Sequence, residues 1–533
     1  MALSWFGAGA PLPLTRGRVF EMMPCAMGWL KFSAALGDRK EALLGCTLSE
    51  KAKEGFFMAT EIPNSPQHGS CNFRKIVDAF LSAEGLPFAD VLAAERIERI
   101  FAKHGNLFGG HGIYTTAIMV WSFLSQVLRD GKEASCQAAV ARVVSHCEQQ
   151  GLDSPTQDTG DYCRARAKLS EAALHEMSCE VAEEVEQAGD ASWLWKGKFH
   201  PKLIDGFTFT MPDTPRNQAE YPQQKAQEPG VGLPIARAVA ILSLATACVM
   251  DLAMGPYKGK ETGESALLRS LLGSLAAGDI AVMDRYYCSF MMIALLSAQG
   301  THTCARKHHL RHSDFRRGKR LGKYDHLIVW TRPQRPAWMD EETYARIPET
   351  LVLREIRYNI VDPGRRTHSI DIITTLIDAE EYTQSDIAEL YGFRWNSELD
   401  IRSIKSSLNL EHVRCKSPEM VHREVWTTIL GYNLIRTTAA GAALLHGKQP
   451  RQISFTSTCQ YVLASWMLLS TGLIHESILE RYLSVILTQI AACEVANRPG
   501  RLEPRVLKRR RHRYKLMNKP RSQLRKELRE HCT

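Results

Sequence analysis

Closely spaced cysteines are absent from this chain. Its 14 cysteines are scattered so that no two stand within four positions of each other, which excludes a zinc ribbon and a thioredoxin-like pair. No secretory leader is expected either: the Met1 end is apolar and broken by glycine and proline, with no small-residue cleavage site behind a charged start. Reduced thiols in a cytoplasmic protein are therefore expected. Long hydrophobic runs are also lacking. The longest largely apolar stretch, residues 238–250, is bracketed by Arg237 and Asp251, and it falls short of the roughly 20 residues a spanning helix needs. No membrane role is expected. Internal repeats are absent, and a net charge of +9 over 533 residues is too moderate to imply a polyanionic partner by itself.

What is present is an ordinary globular composition, 44% hydrophobic and 23% charged, in a chain long enough for several domains. Core-like periodicity begins only around Asn72, so residues 1–70 are expected to be a variable or extended N-terminus, of which 1–57 lie upstream of a natural start at Met58. Apolar residues at helical spacing, such as Ile97, Ile100 and Phe101, then mark residues 71–190 as a helical N-terminal domain. The texture changes near Trp193. Residues 202–210 alternate and are rich in β-branched and aromatic types, as in a strand. Residues 238–254 read as two buried strands with a turn, and 264–275 and 287–297 as helices around a short strand at 280–283. That order predicts a mixed sheet with covering helices, an α/β core. Strand-like pieces at 326–330, 351–360 and 369–374 make residues 305–380 strand-rich. Residues 385–408 read as one helix, 416–497 as a C-terminal helical region, and 498–533 as a basic tail, extended or partly disordered.

The most specific signal is Tyr391, Arg394, Glu398 and Lys405. At about 100° per residue they fall near 0°, 300°, 340° and 320°, a stripe about 60° wide. An acid, two bases and a phenol on one stripe suit a scissile phosphate: the acid can ligate a divalent cation and the bases can neutralise phosphate oxygens. A salt-bridged surface helix would also place Arg394 and Glu398 four residues apart. A lone Glu cannot hold a catalytic metal, so carboxylates at strand ends become relevant. Asp284 closes the apolar run Ile280-Ala281-Val282-Met283, and Asp205 follows Leu203-Ile204 and precedes Gly206. Each alone reads more readily as a turn or strand-end cap; it is the trio that points to metal-assisted phosphoryl chemistry.

The spacing Tyr-x2-Arg-x3-Glu-x6-Lys at 391–405 resembles the signature of bacterial insertion-sequence transposases of the insertion sequence 4 type, DDE enzymes with a ribonuclease H-like catalytic core. Leu203-Ile204-Asp205-Gly206, with Met211-Pro212-Asp213-Thr214-Pro215 behind it, resembles the family's first-Asp segment, and Val282-Met283-Asp284-Arg285 its second. The likeness spans roughly residues 70–525. It implies Asp205, Asp284 and Glu398 as catalytic metal ligands for Mg²⁺, with Mn²⁺ able to substitute, and Tyr391, Arg394 and Lys405 on the DNA end. It also divides the core into residues 191–304 and 381–415, interrupted by the strand-rich insertion 305–380. Gln157-Asp158-Thr159 looks like another first-Asp segment, but it sits in polar sequence before a helix and reads as a loop or cap.

Positive charge clusters in two places. Arg306, Lys307, Arg311, Arg316, Arg317, Lys319, Arg320 and Lys323 face few acids, and residues 508–515 contain none. Both are expected DNA surfaces, with binding that weakens steeply in salt. His302, Cys304, His308, His309 and His312 are too irregularly spaced for zinc and are expected to line the DNA path or a turn. Trp330 and Trp338 are expected to pack in the core rather than stack on a base. The resemblance implies double-stranded DNA partners, the terminal inverted repeats and the target, bound by a dimer near the nucleoid. It also implies that the N-terminal domain recognises the element's ends. The expected activity is cut-and-paste transposition by hydrolysis and strand transfer. A non-catalytic DNA-binding relative and a nuclease without strand transfer are the rivals.

Overall fold

The computed structural model describes residues 92–109, 112–359, 369–469, 476–495 and 516–531. Expectations for residues 1–70, including Met58, and for the basic run 508–515 lie outside the described residues.

The N-terminal part is helical: α1 (Ala94–Lys103), α2 (Thr116–Val127), α3 (Cys136–Gln150), α4 (Thr159–Arg166) and α5 (Glu171–Gln187). Side-chain oxygens satisfy the first free amides of these helices. Thr115 accepts from Ile118, Ser135 from Ala138 and Ser170 from Ala173. Asp158 does the same for α4 through Gly160 (2.9 Å), so it is a cap residue.

The sheet is built from β1 (His200–Thr210), β2 (Ile235–Ser243), β3 (Val249–Pro256), β4 (Asp279–Met283) and β5 (His302–Arg306). It continues through β6 (Lys319–Gly322), β7 (Asp325–Thr331), β8 (Thr350–Asn359) and β9 (Ser369–Thr374). All nine strands form one sheet in the order β3-β2-β1-β4-β5-β9-β8-β7-β6. β1, β2 and β3 pair antiparallel, whereas β1, β4 and β5 pair parallel. This 3-2-1-4-5 mixed order is the ribonuclease H-like core. The strands of residues 305–380 do not stand apart from it: β9 pairs antiparallel with β5 and extends the same sheet.

Parallel crossovers bury both faces of their strands, which explains the uninterrupted apolar run in β4. Ile280 and Val282 join the hydrophobic cluster on one face, Ala281 and Met283 the cluster on the other. β5 has charged or polar ends, His302 and Arg306, that hide a strand pattern in the sequence, but its centre, Thr303, Cys304 and Ala305, is fully buried.

Covering and connecting helices are α6 (Pro215–Glu220), α7 (Glu264–Ser270), α8 (Phe290–Ala298) and α9 (Glu341–Arg346). The expected single helix at 385–408 is divided. α10 (Gln384–Gly392) ends, α11 (Trp395–Arg402) begins after two intervening residues, and a π-helical turn occupies Ser403–Ser407. The C-terminal region holds α12 (Pro418–Leu445), α13 (Phe455–Leu469) and α14 (Glu476–Ala492). Within the tail, α15 (Arg521–His531) is helical rather than extended. Among the described residues, no helix is long and apolar enough to cross a membrane.

α12 is the spine that joins the helical parts to the sheet. Its buried Asn433 donates to the carbonyls of Ser178 (3.0 Å) on α5 and Val249 (2.9 Å) on β3, and accepts from Val249 N–H (2.9 Å). Three elements thus meet at one amide inside an apolar interface, where an unmade bond costs about 1–3 kcal/mol. Asn433→Ala is expected to lower unfolding free energy by about 2–4 kcal/mol in a urea titration; a change below about 0.5 kcal/mol would show that these bonds contribute little.

Candidate active site

The site begins with strand register. β1 and β4 run parallel, and their last paired residues are Ile204 and Met283. One position further along each strand stand Asp205 and Asp284, on backbones about 4.8 Å apart by the spacing of neighbouring strands. Asp284 lies where β4 ends, as its sequence suggested. Asp205 is in the middle of β1, not at a strand end, because β1 continues in its ladder with β2 beyond the point where β4 stops.

Glu398 arrives from α11. Arg394 joins the acids: its Nη1 lies 3.3 Å from Asp205 Oδ2 and its Nη2 donates to Glu398 Oε1 at 2.8 Å. The buried Ser397 hydroxyl donates to Asp205 Oδ2 (2.7 Å). Burial raises the Asp205 carboxyl above its ordinary value, against the pull of Ser397 and Arg394. Burial also works against charge on Arg394, but the surrounding groups outweigh it and hold that pKa up. The result is one open cavity of ≈ 520 Å³ lined by Asp205, Asp284, Glu398, Arg394, Arg402 and Lys405.

Tyr391 does not share that lining. It is 8% exposed and packs in the core, and burial pushes its phenol pKa up. The four-residue stripe assumed an even helical step, but the chain tightens between α10 and α11. Arg394 N–H bonds back only three residues, to Tyr391 C=O (3.0 Å), and the π turn widens the helix around Lys405.

Gly206 matters for a neighbour. A Cβ there would sit 2.5 Å from Glu264 Cδ, so glycine lets a further carboxylate, hydrogen-bonded to the Tyr287 hydroxyl (3.2 Å), pack beside Asp205.

The charged segment 302–323 is split by the fold. Lys307 is buried on Glu355, with Asp371 at 3.6 Å, and is a structural charge. Cys304 lies in the core, and the half-buried His302 packs edge-on against Phe199. Arg316 and Arg317 are outward-facing beside Asp314, and Lys319 and Arg320 are exposed on β6. Trp330 is buried, with the Arg311 guanidinium 3.8 Å from its ring centre. Trp338, expected in the core, is 37% exposed under Arg269.

Sequence reasoning missed the support of α11. Asp400, 1% exposed, accepts from Arg436 Nη2 of α12 (3.0 Å) and from Arg451 Nη2 (2.8 Å). Its partners are 36 and 51 residues away, so no local pattern could reveal it.

The sequence has relatives among known proteins. Residues 201–434 match the family model described as the transposase DDE domain. The chain is also similar to the transposase InsG for insertion sequence element IS4 of Escherichia coli (strain K12), with 28% identity over 395 residues, 71% of this chain and 82% of that one. Residues 201–434 thus carry a transposase DDE domain, and the chain as a whole is similar to transposases of the insertion sequence 4 type. It is an enzyme of DNA cleavage and strand transfer, it binds DNA, and it uses a divalent metal. A shorter similarity links this transposase to that of insertion sequence element IS421 of Escherichia coli, 31% identical over 64 residues, 12% of this chain and 17% of that one. Among solved structures, the piggyBac transposase synaptic complex with hairpin DNA is similar at TM-score 0.37 and 10% identity, covering 80% of this chain and 86% of that one.

Three carboxylates on one open cavity form an oxygen-only donor set, which fits a hard divalent cation. Support and chemistry separate in mutants of α11. Asp400→Ala would strand a buried guanidinium and is expected to cost about 3–5 kcal/mol of stability. Glu398→Gln, at a half-exposed position, is expected to cost less than about 1 kcal/mol. Thermal unfolding of both variants checks this, and equal losses would contradict the assignment of Asp400 as the support.

Proposed function

We propose that this transposase cuts the ends of its own element by hydrolysis and joins the freed 3′ ends to target DNA by transesterification, with Asp205, Asp284 and Glu398 as the metal ligands. The observation that carries this reading is the adjacent register of Asp205 and Asp284, with Glu398 drawn to them through Arg394. Two Mg²⁺ ions, which Mn²⁺ can replace, would supply Lewis-acid stabilisation of the attacking and leaving oxygens. In the cut, water attacks the scissile phosphorus and the 3′ oxygen leaves with a proton. In the joining, that 3′-hydroxyl attacks a target phosphodiester, and the target's own 3′ oxygen leaves and takes a proton. One phosphodiester is exchanged for another.

The chain's own groups divide the remaining work. Arg394 balances the acids and can offer its fork to a phosphate once it shares Glu398 with a cation. Lys405, whose Nζ lies 3.9 Å from Glu411, stands on the same wall for the next phosphate. Tyr391 serves as packing beneath Arg394 rather than as a base-stacking group. Arg316, Arg317, Lys319 and Arg320 bind backbone phosphates further along the DNA. The helical part that includes α1–α5 recognises the terminal inverted repeats. The protein works in the cytoplasm on nucleoid DNA, as a dimer holding two ends.

The test is cleavage of a terminal inverted-repeat duplex in Mg²⁺, followed by joining to a target plasmid. Wild type is expected to do both. Glu398→Gln should lose at least about 100-fold in both steps while still binding the duplex, since several kcal/mol of charge stabilisation go with the ligand. Undiminished cleavage by that variant would remove Glu398 from the site, and cleavage without joining by wild type would reduce the enzyme to a nuclease.

A further inference from the structure

Away from the acidic cavity, a second group of ligating side chains meets between α5 and the edge of the sheet. His175 and Cys179 are one helical turn apart on α5, so they project from the same face. Asp251 belongs to β3, the outermost strand at that end of the sheet. One ligand atom from each of the three lies within 4.8 Å of the others. In a tetrahedral zinc site, with bonds of about 2.0–2.3 Å, ligand atoms stand about 3.3–3.8 Å apart. Small side-chain rotations would bring this trio to that spacing.

The surroundings are built as the outer shell of a metal site is built. His175 Nε2 faces Asp251 Oδ1 at 2.8 Å. The His175 ring lies against Trp426 of α12, centroids 4.1 Å apart and 31° from parallel, which fixes its plane. Leu252 N–H donates to Asp251 Oδ1 (2.7 Å), and the Ser274 hydroxyl donates to Oδ2. Both carboxylate oxygens are thus oriented by protein groups, as outer partners orient a ligand. His175 is half-exposed and leaves a solvent side for a fourth, water ligand, whereas Asp251 is buried.

We propose that His175, Cys179 and Asp251 bind a borderline-soft divalent cation of the zinc class, which clamps α5 to the free edge of the catalytic sheet. The donors select the ion. A thiolate with an imidazole favours zinc over magnesium, so this site differs in kind from the all-oxygen cavity at Asp205, Asp284 and Glu398. On binding, the Cys179 thiol releases its proton to solvent and the sulfur becomes a thiolate ligand, while His175 binds as neutral imidazole. The clamp sits beside Asn433, at the junction that already joins α5, α12 and β3.

Cobalt(II) is the probe, because sulfur bound to it gives a near-ultraviolet charge-transfer band that oxygen ligands cannot give. Full-length protein stripped with chelator and titrated with Co²⁺ is expected to develop that band to one equivalent, and Zn²⁺ should abolish it by displacement. Cys179→Ser should lose the band altogether. His175→Gln should weaken cobalt binding by at least about 10-fold, since even outer partners of a ligand cost about 10–100-fold. Asp284→Asn should keep the band unchanged, which separates this site from the acidic cavity. Absence of the band in wild type overturns the proposal without recourse to any variant. Persistence of the band in Cys179→Ser overturns it equally, because another thiol would then be the ligand.

Discussion

The parallel pairing of β1 with β4 is the constraint on which the rest depends. Parallel strands need a crossover that covers their faces, so their residues must be apolar on both sides, and residues 280–283 are. That pairing also fixes register: with Ile204 beside Met283, Asp205 and Asp284 become neighbours. Strand pairing sets where the two acids stand, Asp205 within β1 and Asp284 at the first position past β4. A one-residue slip would turn the core residues of β4 to the wrong face, so the register that fills the core also aligns the two acids.

Bringing acids together is costly unless something balances them. In the structure that is Arg394, which spans Asp205 and Glu398. The same side chain explains why the helix around Glu398 is irregular. The tight turn between α10 and α11 sinks Tyr391 into the core and keeps Arg394 beside the acids. Behind α11, the buried Asp400 ties the helix to Arg436 and Arg451. The edge that carries the three acids therefore rests on a C-terminal helix that is itself fastened to the N-terminal helices through Asn433.

Much of this was legible in the sequence where the signal was local. β1, β2, β3 and β4 were visible as apolar or alternating runs, and so were β7, β8 and β9. Asp284 was visible because an acid ending an apolar strand is conspicuous. What stayed hidden depended on distant partners. Lys307 looked like a DNA contact in a basic run until the fold placed Glu355 beneath it. β5 was masked by the charge of its ends, and the supporting roles of Asp400, Ser397 and Asn433 reside in contacts made across the fold. The even stripe at 391–405 failed for a different reason: helical projection assumes a constant step, and this segment contains both a tightened and a widened turn.

The most direct test of the central claim is a metal-specificity switch at Asp284. Asp284→Cys replaces a hard oxygen ligand by a soft sulfur at the end of β4, leaving the strand itself unchanged. Single-turnover cleavage of a terminal inverted-repeat duplex by this variant is predicted to fall by about 10³-fold in Mg²⁺ and to recover substantially in Mn²⁺, which tolerates sulfur better. Cleavage in Mg²⁺ at the wild-type rate would contradict the account, because Asp284 would then hold no metal.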